Sequence, residues 1–394
     1  MPRAASTSSH GIDVARERAQ RSPGGGPKVE HVAMLVRALC SIDEFCRSSS
    51  LREWERVIRE ARAAKLLGTL EARVRDSGLF DAVPVGAQKH LIAGRHVAYA
   101  QGRLMQRELR AVGTALANIG APVVLLKGAA YLASGLPCAR GRIFNDLDIL
   151  VPESALPRVE AALMLAGFAT THKHPYDQRY YRRWMHELPP MQHVRRGTTI
   201  DVHHTIVPRT SRIRLDAGKL FDDAIALQHP FGFNTLSPAD MVLHSATHLF
   251  NNEDMTQSLR DLVDIDSLLR HFGTTATFWS MLDRRAAELD LWRPLFYALT
   301  WSPHLLDTPM PSDIAGSTRL HRPVWLLRPF MQHLLHHALQ PGEAAAPTRW
   351  ARKLLYLRGQ WLKMPLPLLV WHLTVKSLRR EERLHNGRPT GGEA

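Results

Sequence analysis

Residues 125–151 read LLKGAAYLASGLPCARGRIFNDLDILV, and the closing NDLDILV decides how the chain is read. On a β-strand, Leu147, Ile149 and Val151 fall on one face, and Asp146 and Asp148 share the other. Two neighbouring carboxylates repel each other and resist burial, so the arrangement needs a counter-charge. One or two divalent cations are the simplest source of it.

The flanking sequence gives the strand a setting. Upstream, APVVLLKG reads as a buried strand, and GAAYLASGL reads as a short helix whose N-terminus lies at Lys127-Gly128. Downstream, ESALPRVEAALMLAG is an amphipathic helix closed by Gly167. PPMQHV, RRG and TTIDVHHTI then form a hairpin around a glycine-containing turn. Along its second strand, Asp201 and His203 share a face, opposite Ile200, Val202 and His204.

Helical periodicity dominates elsewhere: Val32 to Leu79, a long helix from about Gly86 to Ile119, and several helices from Pro238 onward. The predicted architecture is α+β, a small mixed β-sheet core flanked by N-terminal and C-terminal helical segments. Its expected boundaries are a disordered tail over 1–30, a helical region over 31–119, the sheet-bearing core over 120–235, and a helical domain over 236–340. A linker and a basic amphipathic segment follow over 341–394.

The order strand, Lys-Gly, short helix, loop, Asp-Leu-Asp strand, helix, hairpin, strand Asp resembles the nucleotidyltransferase superfamily that includes DNA polymerase β. More closely, it resembles the bacterial family labelled "uncharacterised nucleotidyltransferase". The carrying residues are LLKGAAYLA (125–133), Arg142 followed by DLDILV (146–151), IDVHHTI (200–206), and LHSATHLF…LRDLVDIDSLL (243–269). The resemblance implies a nucleotidyltransferase that moves a nucleoside monophosphate from a nucleoside triphosphate to an acceptor, releasing pyrophosphate.

By resemblance, Asp146 and Asp148 bind Mg²⁺ (or Mn²⁺), and Asp201 is the third carboxylate, sharing a metal and helping to deprotonate the acceptor. Aspartates on alternate strand positions lie ~6.5–7 Å apart at Cα, close enough for both to ligate metal. Paired metals in such sites clamp the attacking and leaving oxygens of an in-line displacement. Lys127, Gly128 and Arg142 are the residues expected at the triphosphate, and His203 is expected to orient Asp201 or touch nucleotide. The chain departs from the superfamily in having Ala129 where the usual Gly-Ser places a hydroxyl. That departure keeps a second reading open, a nucleotide-binding regulatory or partner protein without transfer activity.

His244 and His248 are one helical turn apart, yet no acidic base lies between them, so they read as one packing face. Arg260, Asp261 and Asp264 read as a polar network on a helix surface or between domains, on a helix that can also line the nucleotide cleft. The segment HKHPYDQRYYRRWMHE (172–187) interleaves basic and aromatic residues, suited either to an anionic acceptor or to a solvated loop.

The composition narrows the partners. The 51 Lys and Arg residues outnumber the 37 Asp and Glu, a net charge of +14 that favours an anionic partner. Residues 346–394 hold ten of the basic residues and three Glu, a net of +7; they suit a terminal helix packed with its basic face outward or peripheral contact with anionic membrane, and the latter keeps open a third reading, a membrane-surface accessory protein acting through this tail. The acceptor's class stays open among small molecule, glycan-related compound and protein. No recognised nucleic-acid module appears, so sequence-specific nucleic-acid binding is not expected. P-loop, dinucleotide fingerprint and Ser-His-Asp arrangement are also absent. Three cysteines, no apolar leader-like segment and no transmembrane run point to a cytoplasmic protein, with the basic tail able to reach the membrane surface.

Overall fold

The structure is a computed structural model, and it describes residues 33–172, 174–251, 254–311, 327–341 and 346–371. The expected tail over 1–30 and the end of the chain past residue 371 lie outside them.

Four helices open the described chain: α1 (Met34–Cys40), α2 (Ile42–Ser48), α3 (Leu51–Ala63) and α4 (Leu67–Asp76). Helix α3 begins with a capping box in which Ser50 and Glu53 satisfy each other's backbone N–H groups. The long helix α5 (Val85–Leu116) follows, with Leu91, Ala98, Met105, Leu109, Val112 and Leu116 on its buried face. Its 32 residues span about 48 Å at 1.5 Å per residue, and it packs on β2 and on the helices either side of it in the chain.

The sheet is mixed and seven-stranded, in the order β3-β4-β5-β2-β1-β7-β6. Its strands are β1 (Val124–Leu125), β2 (Asp146–Leu150), β3 (Phe168–Thr170), β4 (Met191–His193), β5 (Thr199–His203), β6 (Ile225–Ala226) and β7 (Asn234–Thr235). Strand β2 is central, antiparallel to β1 and parallel to β5. The β2–β5 register sets Asp148 opposite Asp201, so an in-register parallel pair puts both side chains on one face. Leu147, Ile149 and Leu150 on β2 are fully buried, as the apolar half of NDLDILV requires.

Between the strands lie α6 (Lys127–Ala133), α7 (Leu156–Leu165), α8 (Pro175–Trp184) and α9 (Gly218–Asp222). The α8 helix occupies part of the 172–187 segment that sequence left open. Pro175 presets its first turn, but none of its residues is buried, so no apolar period marks it in the sequence. The strands β3, β6 and β7 are two or three residues long, too short to show alternation.

Helices α10 (Pro238–Asn251), α11 (Ser258–Phe272), α12 (Ala276–Glu288) and α13 (Trp292–Leu306) form the second helical layer. Two buried carboxylates pin it. Asp240, fully buried on α10, receives two hydrogen bonds from Arg285 of α12. Asp266, fully buried on α11, is held by Arg270, Thr308 and Arg73 of α4. Helices α14 (Arg328–Ala338) and α15 (Ala346–Lys363) follow. The linker expected at the start of 341–394 gives way to α15 by Ala346, and residues 342–345 lie outside the described set. One apolar core runs through the described residues from Ala33 to Leu355. No described helix is long and apolar enough to cross a membrane.

One close approach ties the N-terminal helices to the loop ahead of β2. Gly141 sits at φ +72°, and a Cβ there would collide with the backbone of Gly68 on α4. Only glycines allow the two backbones to meet, and Arg142 is the next residue along.

Candidate active site

Asp146, Asp148 and Asp201 converge at the β2–β5 pair, with ligand-capable oxygens all within 4.8 Å of one another. Asp148 is 3% exposed and lies deepest of the three. Its Oδ1 accepts hydrogen bonds from Lys127 Nζ at 3.0 Å and from His203 Nε2 at 3.1 Å. Burial alone would raise its pKa, but Lys127 and His203 outweigh burial and hold it well below the ordinary carboxylate range. Its neighbours behave oppositely. Asp146 is raised, chiefly by the adjacent Asp148 charge and then by burial. Burial, followed by Asp148 and Glu187, pushes Asp201 up to about 8. Its Oδ1 is buried and receives no hydrogen bond.

Lys127 begins α6 with φ +43°, a left-handed conformation that is strained for a residue with a side chain. The turn aims its ammonium back onto β2. Burial lowers the Lys127 pKa, but Asp148 and Asp146 more than offset it and leave it raised. Arg142 is committed differently: its Nε donates to Asp264 Oδ2 of α11 at 2.9 Å, in a pair about nine-tenths buried on both sides. Its guanidinium lies over the rings of Tyr131 and Phe144 and against Gly128, where a Cβ would collide with it.

His203 shares the Asp201 face, as its strand position requires, but its Nε2 bonds Asp148 rather than Asp201. Its Nδ1 faces Glu187 Oε2 at 3.4 Å. His204 points away and bonds the Met185 carbonyl. His244 is buried and its pKa is lowered well below the usual value, first by burial and then by Lys127. His248 has Nδ1 3.5 Å from Asp261 and lines the cleft, so it does more than pack. Of the two settings open for Arg260, Asp261 and Asp264, the structure shows the cleft-lining one: all three border the smaller lobe.

The cleft has two lobes that meet at Lys127, Asp146, Asp148 and His248. The smaller, about 60 Å³, is bounded by Gly128, Arg142, Arg260 and Asp264. The larger, about 290 Å³, is bounded by Tyr180 and Tyr181 of α8, His186, Glu187 and the end of α15 at Leu362 and Lys363. Asp201 and His203 line only the larger lobe. His186 and Glu187 were not singled out by sequence, because the connection after α8 carries no periodicity and their partner His203 is distant in the chain.

With all three carboxylates ionised, one ammonium and one imidazole would leave an excess of negative charge, which together with burial raises Asp146 and Asp201. An all-oxygen donor set, with one buried oxygen lacking any donor, fits a hard divalent cation. In cation-free buffer the raised Asp201 pKa has a defined sign. Its stability contribution is complete below the unfolded value near 3.8 and is lost as pH rises through about 8. Between those limits the slope is at most ~1.4 kcal/mol per pH unit. Chelated Asp201→Asn is therefore expected to lose less stability than wild type between pH 6 and 8, measured by denaturant titration. An equal slope in both proteins would refute that assignment.

A family profile described as uncharacterised nucleotidyltransferase matches residues 50–307, which run from α3 to the end of α13 and include every cleft residue except those of α15. No curated protein and no solved structure matches the chain. With the matched span covering well over half its length, the chain belongs to the uncharacterised nucleotidyltransferase family.

Proposed function

We propose that this protein is a Mg²⁺- or Mn²⁺-dependent nucleotidyltransferase that joins a nucleoside monophosphate to an acceptor hydroxyl or phosphate and releases pyrophosphate. The observation that carries the reading is the Asp146, Asp148 and Asp201 cluster at the junction of two cleft lobes. Asp146, Asp148 and Asp201 would hold the cation, which when bound supplies charge neutralisation and Lewis-acid polarisation of phosphate oxygens.

The two lobes divide the remaining roles. Asp146 and Asp148 line both, as residues serving both sides of an in-line displacement should. Lys127, Gly128 and Arg142 border the smaller lobe and hold the triphosphate there. Lys127 supplies a point charge, and Arg142, anchored by Asp264, presents the rest of a rigid guanidinium beside Gly128. Asp201 faces only the larger lobe, so the acceptor enters from that side and Asp201 takes its proton. His203 fixes the orientation of Asp148 through its Nε2–H, and Lys127 does the same from the other side. Tyr180 and Tyr181 give the larger lobe an aromatic wall for the acceptor's organic portion.

Calorimetric titration with each of the four ribonucleoside triphosphates tests this, with and without Mg²⁺. Mg²⁺-dependent binding of at least one of them is expected in wild type and is expected to vanish in Asp146→Asn/Asp148→Asn. Binding unchanged in the double variant would remove nucleotide from these aspartates. Failure of every triphosphate to bind would remove the enzyme reading.

A further inference from the structure

Next to the three aspartates lies a second cluster with different chemistry. His186 and Glu187 follow α8, and His203 ends β5; an antiparallel bridge between Glu187 and His203 brings the two segments together. One ligand-capable atom from each residue lies within 4.8 Å of the others. His203 is 3% exposed, and its Nδ1 is buried without a hydrogen-bond partner. The His186 Nδ1 is likewise buried and unpartnered, and the two rings stand 5.2 Å apart.

The network around His203 accounts for what that nitrogen is free to do. Asp148 Oδ1 is a pure acceptor, so His203 Nε2 carries the proton that joins them. Its Nδ1 faces the Glu187 carboxylate at 3.4 Å, a gap that either a proton or a metal ion can fill. Burial lowers the His203 pKa, but the Asp148 hydrogen bond and Glu187 more than offset it and leave it raised, so a metal bound here would take the place of a proton. A carboxylate that receives the far N–H of a histidine is the usual support for a metal-bound imidazole, fixing its tautomer and raising its basicity. Burial, and then the neighbouring His203 and Lys363, lowers the pKa of His186, which keeps its ring neutral and its lone pair available.

We propose that His186, Glu187 and His203 form a transition-metal site that takes a borderline-soft divalent cation such as Zn²⁺ or Co²⁺. Two imidazoles and one carboxylate select that class, whereas the three aspartates beside it offer oxygen alone and suit Mg²⁺. Because Lys127 and His203 both occupy Oδ1 of Asp148, its other oxygen is left for the aspartate cluster, and the two sites need not compete. The metal would clamp the start of the α8–β4 connection onto β5 and so fix one wall of the larger lobe. Occupancy of this site does not depend on nucleotide transfer.

The test is Co²⁺ binding to the full-length protein in excess Mg²⁺, followed by visible d–d absorption and by metal content after desalting. One retained equivalent is expected in wild type, in Asp146→Asn and in Asp201→Asn. His186→Ala and the near-isosteric Glu187→Gln are each expected to weaken Co²⁺ at least tenfold and to lose the absorption band, with melting curves that show a folded protein. Glu187→Gln keeps the test decisive if His186→Ala does not fold. No Co²⁺ retained by wild type under Mg²⁺ would overturn the proposal. So would retention in the His186 and Glu187 variants with loss in the Asp146 or Asp201 variants, which would place the ion at the aspartates.

Discussion

Asp146→Asn and Asp148→Asn are expected to act alike on Mg²⁺-dependent nucleotide binding and in opposite directions on stability. The two carboxylates are one residue apart on β2, but their electrostatic settings differ in sign. Asp146 is raised by its neighbour and by burial, so its ionised form is disfavoured in the folded protein. An uncharged amide there relieves the repulsion, and the cation-free variant should gain stability at neutral pH. Asp148 is lowered because it neutralises Lys127 and His203. Removing its charge strands a buried ammonium and weakens the bond to His203, which should cost about 3 kcal/mol. On the proposed chemistry both variants lose about 10²–10³-fold in transfer, the scale of losing one preorganised electrostatic group. Denaturant melts with chelator, set beside transfer assays with Mg²⁺, separate the two effects. Equal stability changes in the two variants would overturn this account of the pair.

The second large effect belongs to Arg142. Its pair with Asp264 is about nine-tenths buried on both sides and bridges the pre-β2 loop to α11 across 122 residues. Burial tends to lower the Arg142 pKa, but Asp264 and Tyr131 more than offset it. Arg142→Ala leaves Asp264 without its partner in the α11 wall, and loss of one member of a buried pair costs about 3–5 kcal/mol. Replacing both, as Arg142→Met/Asp264→Leu, should recover most of that loss while leaving the small lobe without its guanidinium. The double variant should therefore melt near wild type and still bind triphosphate poorly. Tight triphosphate binding in that protein would show that Arg142 serves α11 packing alone.

The parts of this arrangement that sequence revealed are those whose chemistry contradicts its surroundings. Two aspartates on an otherwise apolar strand, and a third on a second strand, stand out because acidic residues are costly there. The Lys127-Gly128 step was visible because a strand ends and a helix begins at it. What stayed hidden depends on distance along the chain. Nothing near Arg142 announces Asp264, and nothing near Glu187 announces His203, since both pairings are made by the packing of separate layers. The α8 helix stayed hidden for a different reason: its arginines and tyrosines cover surface, so no apolar stripe records its period. Strands β6 and β7 were illegible because two residues cannot alternate, whereas the equally short β1 lies in the apolar run of APVVLLKG.

The meeting of Gly68 with Gly141 bears on how the protein can be divided. A fragment starting at β1 would retain every strand and all three aspartates. It would also remove α4, and with it the surface against which the Gly141 turn rests and the Arg73 guanidinium that neutralises buried Asp266. Arg142 would then hang from an unsupported loop, and α11 would carry a carboxylate short of one cation. The N-terminal helices thus serve as a buttress for the cleft, and the smallest separable piece with an intact cleft has to begin before α4.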